Sequence, residues 1–297
     1  MSLISVIILT LNEEIHIERC VKSALKITNQ VFLVDSFSTD KTVEIAKSLG
    51  VEVLQHEFKN HGDQLKWALD NITIKTDWVM RMDADEIITD ELSKEIIEVL
   101  KSAEMETKGF VVPLYVRFKG ALIRNGGYPQ WQLRIWRRGA ALIEQRWMDE
   151  KIIVEGSVGR LSSPYIDDNL NNITWWTNKH NAYSTREAID LLRKKYDLSL
   201  EQSNTKYLTR QARYTRWLKE NVYRYMPKGI RAFFFFLYRV IFRLGFLDGP
   251  KGVAFHLLQG FWYRFLVDVK VAEVEKRMKE DGVDYKEAVR REFSINL

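Results

Sequence analysis

The 297-residue sequence contains a single cysteine, Cys20, and only five histidines. That scarcity excludes an internal disulfide framework and leaves no thiolate zinc cluster. Internal repeats and polar low-complexity tracts are absent, and 46% hydrophobic with 29% charged residues is a globular composition. The opening Met1-Ser-Leu-Ile-Ser-Val-Ile-Ile-Leu-Thr10 lacks a basic leader, a cleavage site of small residues and an apolar run of signal-sequence length. The expectation is a cytoplasmic chain. A membrane-spanning helix needs roughly 20 predominantly apolar residues, and Arg231, Arg239 and Arg243 interrupt the only candidate.

What is present in the first half is an alternation of buried-strand and helix patterns. Ser5–Leu9 is an aliphatic run, followed by Ile15, Ile17, Val21, Ala24 and Leu25 at helical spacing. Cys20 falls on that helix, where a buried structural thiol fits better than a nucleophile. Val31–Val34 repeats the strand pattern, Asp40 is placed to cap a helix that Gly50 ends, and Val51–Leu54 begins a third strand. A helix is predicted from Gly62 to Asn71, then a strand from Trp78 to Met82 that runs into Asp83-Ala-Asp-Glu86. Strands joined by single helices predict an α/β fold with a mostly parallel sheet, and such sheets bind ligands at the carboxyl ends of their strands. Asp35 and Asp83 both fall at such ends. From Gly109 the pattern changes to short strands, Phe110–Phe118, Gln132–Trp136 and Lys151–Val154, read as a mixed-sheet extension.

Asp83-x-Asp85 supplies the hard oxygen ligands that a divalent cation requires, although a solvated turn has the same sequence. Over roughly its first 160 residues the chain resembles glycosyltransferase family 2, inverting enzymes of GT-A fold. Four pieces carry the resemblance in order: Ser5-Val-Ile-Ile-Leu-Thr-Leu-Asn-Glu-Glu14, Val34-Asp-Ser-Phe-Ser-Thr-Asp-Lys-Thr42, His61-Gly-Asp-Gln-Leu-Lys66 and Arg81-Met-Asp-Ala-Asp-Glu86. It implies a nucleotide-sugar donor, with uridine diphosphate the expected carrier. Thr10, Asn12, Glu13 and Glu14 would line the nucleotide pocket, Asp35 would accept a hydrogen bond from the base, and Lys66 would face the diphosphate. Ser36 stands where the family usually has a second acid. Asp83, Ala84 and Asp85 would form the donor turn, with Asp83 and Asp85 holding magnesium or manganese against the leaving diphosphate.

An inverting transfer also needs a carboxylate to take the proton of the acceptor hydroxyl. The resemblance puts it at Glu150, in Trp147-Met-Asp-Glu-Lys151, with Asp149 as the alternative. In Gln130-Trp-Gln-Leu-Arg-Ile-Trp136, Arg134 is the candidate for the diphosphate, and Trp131 or Trp136 for stacking on a sugar. Lys179-His-Asn-Ala-Tyr183 looks like a block of the lipopolysaccharide-core glucosyltransferase branch and makes His180 an acceptor candidate.

The net charge of +5 is regional: Lys206–Lys251 holds eleven basic residues against two acids, leaving about −4 for the remainder. Helices are predicted around Tyr207–Met226 and Gly229–Phe246, then from about Val253 to Asp281, the first two mixing aromatics with Arg and Lys. Such helices suit a membrane interface, here the anionic inner face of the cell membrane. The expected organisation is a GT-A catalytic domain over 1–165 and a helical region for acceptor and membrane over 166–297. The implied acceptor is a lipid-linked saccharide, and homo-oligomerisation stays open. A sugar-phosphate nucleotidyltransferase would need a Gly-rich, basic triphosphate loop after the first strand, and none is there. A nucleic-acid-binding protein would account for the basic aromatic segment but not for four donor motifs in order, so no nucleic acid is expected.

Overall fold

The structure is a computed structural model that describes residues 2–144, 151–197 and 227–297. It divides into two compact units, Met1–Arg124 with Tyr128–Leu170, and Asn125–Gly127 with Asn171–Leu297.

In the first unit, β1 (Ile4–Thr10) and β2 (Val31–Asp35) are buried along their whole length, as central parallel strands covered on both faces must be. β3 (Glu52–Gln55) pairs with β2 in parallel, and β4 (Trp78–Asp83) pairs in parallel with the other side of β1. The connections are α1 (Ile17–Ala24), α2 (Thr42–Ser48) and α3 (His61–Asn71). Ile17, Cys20, Val21 and Ala24 form the buried stripe of α1, and the Asn60 side chain caps α3 by accepting from the Asp63 backbone N–H at 2.8 Å. Because successive strand residues face opposite ways, β1 feeds two cores. Val6 and Ile8 pack with α1, while Ile7 and Leu9 pack with Leu65 and Ala68 of α3.

The sheet then becomes mixed, as its sequence pattern predicts. Its order continues β4-β8-β6-β12-β5, with β5 (Glu86–Ile88), β6 (Thr107–Phe118), β8 (Gln130–Arg137) and β12 (Tyr165–Asp167). β8 runs antiparallel to both β4 and β6. Where β6 bulges against β8, a Cβ on Gly109 would stand 2.8 Å from Leu133 Cδ1 and 3.0 Å from the Ile135 carbonyl, so only glycine fits. The short strands β7 (Ala121–Ile123) and β11 (Ser157–Arg160) flank β6, and β9 (Ala141–Glu144) pairs with β10 (Lys151–Val154) in a separate ribbon. The helix α4 (Asp90–Ser102) has no counterpart in the sequence reading. Thr89 caps it, accepting from the Leu92 N–H at 3.2 Å, and Leu92, Ile96 and Leu100 bury its apolar face.

The second unit is helical. α5 (Ile173–Tyr196) starts at an Asn172 cap and packs on a long helix that runs from α7 (Gly249–Phe255) through a π-helical stretch, His256–Trp262, into α8 (Tyr263–Asp281). Glu187 accepts hydrogen bonds from Tyr263 and Arg264, both at 2.7 Å, tying α5 to this helix. Before it come α6 (Ile230–Leu237) and a π turn over Tyr238–Phe242. The predicted helix over Gly229–Phe246 stops there, and Leu244 takes a left-handed conformation, φ 57°, that no helix continues. α9 (Tyr285–Phe293) closes the unit. The helix expected around Tyr207–Met226 lies outside the described residues. Among the described residues no helix is long and apolar enough to cross a membrane.

Candidate active site

The order β3-β2-β1-β4 places a topological switch point between β1 and β4, because the chain leaves β1 to one side and returns on the other. At the carboxyl ends of these strands Thr10 pairs with Asp35 across β1 and β2, and Leu9 pairs with Asp83 across β1 and β4. Three of the predicted donor residues therefore meet on one rim. The Thr10 hydroxyl is buried there and has no hydrogen-bond partner among the described residues.

The loops on this rim hold one another. Asn12 adopts φ 55°; its N–H donates to Ser38 Oγ, and its carbonyl oxygen Oδ1 accepts from the Thr39 N–H, each at 2.8 Å. The Glu13 N–H donates to Thr42 Oγ1 at 2.8 Å, and the Glu14 carboxylate accepts from the Lys41 N–H at 3.1 Å. The first two sequence motifs are thus one interlocked surface. Asp35 is buried beneath it, accepting from the Ser38 N–H at 2.9 Å, from the Ser38 hydroxyl and from Gln55 Nε2 at 3.1 Å. Gln64 joins the third motif by donating to Ser36 Oγ at 2.9 Å, so the serine that replaces the family's second acid is itself engaged. Lys66 is exposed on α3. The Glu13 carboxylate pairs with Nδ1 of buried His16, whose Nε2 accepts from the Leu170 N–H at 2.8 Å.

Asp83, Ala84 and Asp85 make the turn from β4 to β5. Ala84 and Glu86 are buried, while Asp83 and Asp85 are partly exposed, the Asp83 side chain by 32%. Arg81 Nη2 donates to Asp83 Oδ1 at 2.7 Å, and Arg134 Nη2 stands 3.8 Å from Oδ2. The Asp83 N–H donates to Glu86 Oε2 at 2.8 Å, and the other Glu86 oxygen takes Arg134 Nη2 at 2.6 Å. Arg134 Nε reaches the Tyr165 hydroxyl, which donates to Gln132 Oε1, both at 2.8 Å. Burial raises the Glu86 carboxyl above the ordinary carboxylate range against the pull of Arg134, and the Asp83 charge adds to the rise. Burial opposes the Arg134 charge, but Glu86, Tyr165 and Asp83 outweigh it and hold the guanidinium protonated. Cys20 donates to the Asp83 carbonyl at 3.5 Å. Burial, then the charges of Glu86, Asp85 and Asp83, push its thiol pKa up, as expected of an inert structural cysteine.

Asp85 accepts from Asn169 Nδ2 at 3.1 Å, and its backbone oxygen from the Asp168 N–H at 3.0 Å. Asp168 is in turn held by Arg19 and Arg117, at 2.8 and 3.1 Å. No group of three His, Cys, Asp or Glu side chains suited to a metal occurs among the described residues. Two partly exposed carboxylates two residues apart have the oxygen chemistry of hard-cation ligands.

Two expectations change. Trp136 is core, packed with Leu65 and Val154, so it has no face for a sugar. Arg134 is buried behind the donor turn rather than presented in front of it. Trp131 is half-buried beneath Arg160, whose guanidinium carbon is 3.4 Å from the ring centroid. In the second unit His180 stacks on Trp176 at 3.5 Å between centroids and contacts the Trp176 carbonyl at 2.9 Å; burial lowers its pKa to about 4. Asp149 and Glu150 lie outside the described residues. The supporting groups Glu86, Tyr165, Gln132 and Asp168 were not assigned from sequence. Glu86 carried a signal as the third acid of Asp83-Ala-Asp-Glu86, and Gln132 lay within the Gln130–Trp136 stretch.

The fold is α/β, consistent with the GT-A class. Residues 5–161 match the model of glycosyl transferase family 2, and the chain belongs to that family. A Rickettsia bellii protein described as an uncharacterized glycosyltransferase is 40% identical over 103 residues, 35% of this chain and 34% of the relative. The lipopolysaccharide core biosynthesis glycosyltransferase LpsC of Rhizobium meliloti is 28% identical over 167 residues, 52% of this chain and 59% of LpsC. The matches thus span about a third to three fifths of these relatives. The structure of Staphylococcus aureus TarS 1-349 aligns with TM-score 0.42 and 15% identity, covering 94% of this chain and 92% of TarS.

Proposed function

We propose that the protein transfers a sugar, with inversion, from a uridine diphosphate sugar to a hydroxyl of a lipid-linked saccharide in the synthesis of lipopolysaccharide, capsule or a related glycan. The observation that carries the reading is the convergence of Thr10, Asp35 and Asp83 at the switch point, with Asp83 and Asp85 both partly exposed. In this reading Asp35, buried and held by Ser38 and Gln55, accepts from the base, and Asn12, Glu13 and Glu14 shape the pocket wall. Asp83 and Asp85 hold magnesium or manganese, which when bound neutralises the charge developing on the leaving diphosphate. Lys66 adds positive charge on the diphosphate side. Arg134 is a positioning residue that fixes Asp83 and Glu86. Glu150, or Asp149, takes the proton of the acceptor hydroxyl as its oxygen attacks the anomeric carbon and the carbon–phosphate-oxygen bond breaks. Trp131 and His180 serve the acceptor. The likeness to LpsC supports the lipid-linked acceptor, and the inner face of the cell membrane is where such an acceptor is met.

A calorimetric screen of nucleotide-sugars with and without manganese or magnesium tests this reading. Metal-dependent binding of one nucleoside diphosphate sugar is expected, and its absence across the screen overturns the proposal.

A further inference from the structure

α6 and the π turn after it form a helix whose apolar side faces outward. Ile230, Phe233, Phe234, Tyr238, Ile241 and Phe242 recur at helical spacing and are all exposed, Phe242 by 76%. The polar side of the same helix faces into the second unit. Ala232 and Arg239 are buried; Arg239 Nε donates to the Gly126 carbonyl at 2.7 Å, and Arg231 Nε donates to Asp268 at 2.8 Å. Two of the three arginines that interrupt this run in the sequence are therefore drawn inward, leaving Arg243 exposed. Beyond left-handed Leu244, Phe246 and Leu247 are exposed as well, Leu247 by 60%. Half of the exposed large hydrophobic side chains of the described chain lie between Ile230 and Phe265. A soluble protein rarely leaves so contiguous an apolar surface uncovered.

We infer that this face is an interfacial surface that lies in the plane of an anionic phospholipid bilayer. Between Pro227 and Trp262 the chain has five basic residues and one acid, Asp248, which is engaged inside the unit by Asn125 at 2.8 Å. Arg243 and Lys251 are exposed beside the apolar face, a charge pattern complementary to anionic headgroups, while exposed Lys228 pairs with Glu275. The same pattern disfavours a second copy of this chain. A twofold contact would set these cations against themselves with no exposed acid in the segment to meet them. The absence of a spanning helix among the described residues agrees with a surface that lies on the bilayer. The inference deepens the reading of a lipid-linked acceptor, and it is tested without transfer activity.

The test is co-sedimentation of the full chain with phosphatidylcholine vesicles, with and without phosphatidylglycerol. The wild type is expected to partition onto the anionic vesicles, less so as salt rises. Phe242→Ser with Leu247→Ser should weaken partition by at least about tenfold, since each change removes apolar area from the lipid. Arg243→Glu with Lys251→Glu should abolish the preference for phosphatidylglycerol. Circular dichroism and nucleotide-sugar calorimetry on the same variants should match wild type, so loss of the donor reading and loss of this one are read separately. Failure of the wild type to bind either vesicle overturns the inference, as does equal partition of the serine double variant. A dimer seen by analytical ultracentrifugation that the serine variant dissolves, with no vesicle binding, assigns the face to a second copy and also overturns it.

Discussion

Glu86 Oε1 lies 2.6 Å from Arg134 Nη2, and the two side chains are only 4% and 5% exposed. This pair sits directly behind the donor turn, because the second Glu86 oxygen accepts the Asp83 N–H and Arg134 stands 3.8 Å from the Asp83 carboxylate. The buried pair therefore sets the orientation of a residue proposed to hold the metal. Removing one partner leaves the other buried without its hydrogen bonds, which costs more than the pair contributes.

Arg134→Met should lower the free energy of unfolding by about 3–5 kcal/mol, read from urea denaturation. Arg134→Met with Glu86→Leu should recover much of that loss, since no buried polar group is left without its partner. Arg134→Lys should not restore metal-dependent donor affinity, because an ammonium cannot reach Glu86 and Tyr165 as a fork does. A single Met substitution that costs under about 1 kcal/mol contradicts this role.

Ser38 bridges the first two motifs: it accepts from the Asn12 N–H and donates to buried Asp35. Ser38→Ala should cost about 1–3 kcal/mol by leaving both groups short of a partner. It should also weaken nucleotide binding by roughly tenfold in calorimetry. Unchanged affinity would separate the interlocked loops from the donor site.

The second unit should lose stability in mild acid. Burial holds folded His180 near 4, and burial together with Arg239 does the same for His256, against an ordinary value of 6.5. As pH falls through about 6.5 the unfolded histidines take up protons that the folded ones refuse until about 4. The stabilisation is complete above the unfolded value and declines across that window, by at most about 1.4 kcal/mol per pH unit for each group. His180→Phe, which keeps the stack on Trp176, should remove one group's share of the slope in urea midpoints measured from about pH 7 to about pH 5. A slope identical to wild type contradicts the assignment.

Glu150→Gln and Asp149→Asn separate proton removal from donor binding. The variant at the base should retain donor affinity and lose transfer by about 10²-fold or more, whereas its neighbour retains activity. Full activity in both removes this region from the mechanism.

The sequence was most legible where local pattern and position coincide. β1, β2 and β4 are mostly apolar runs, broken only by Ser5 and Arg81, and the acids that end β2 and β4 fall on one rim because parallel strands carry their loops at one edge. β5 and β12, three residues each, are too short for periodicity to register, and they form only because Tyr165–Asp167 and Glu86–Ile88 meet across long sequence separation. Long-range pairing likewise hid Trp136: an aromatic on an alternating strand has the same sequence whether its ring meets sugar or core. Arg134 was singled out as a ligand contact, but its partners come from β5 and β12, which a linear reading does not bring together. The arginines of the aromatic helix show the same limit, since only the fold turns Arg231 and Arg239 inward.

The central claim is that Asp83 and Asp85 bind the donor through a divalent cation. The most direct measurement is calorimetric titration of a uridine diphosphate sugar into wild type and Asp85→Asn, each with manganese and with chelator. Saturable wild-type binding only with metal, weakened at least about tenfold in a variant that remains folded, is the predicted result. Equal affinity with chelator, or in the variant, would contradict it.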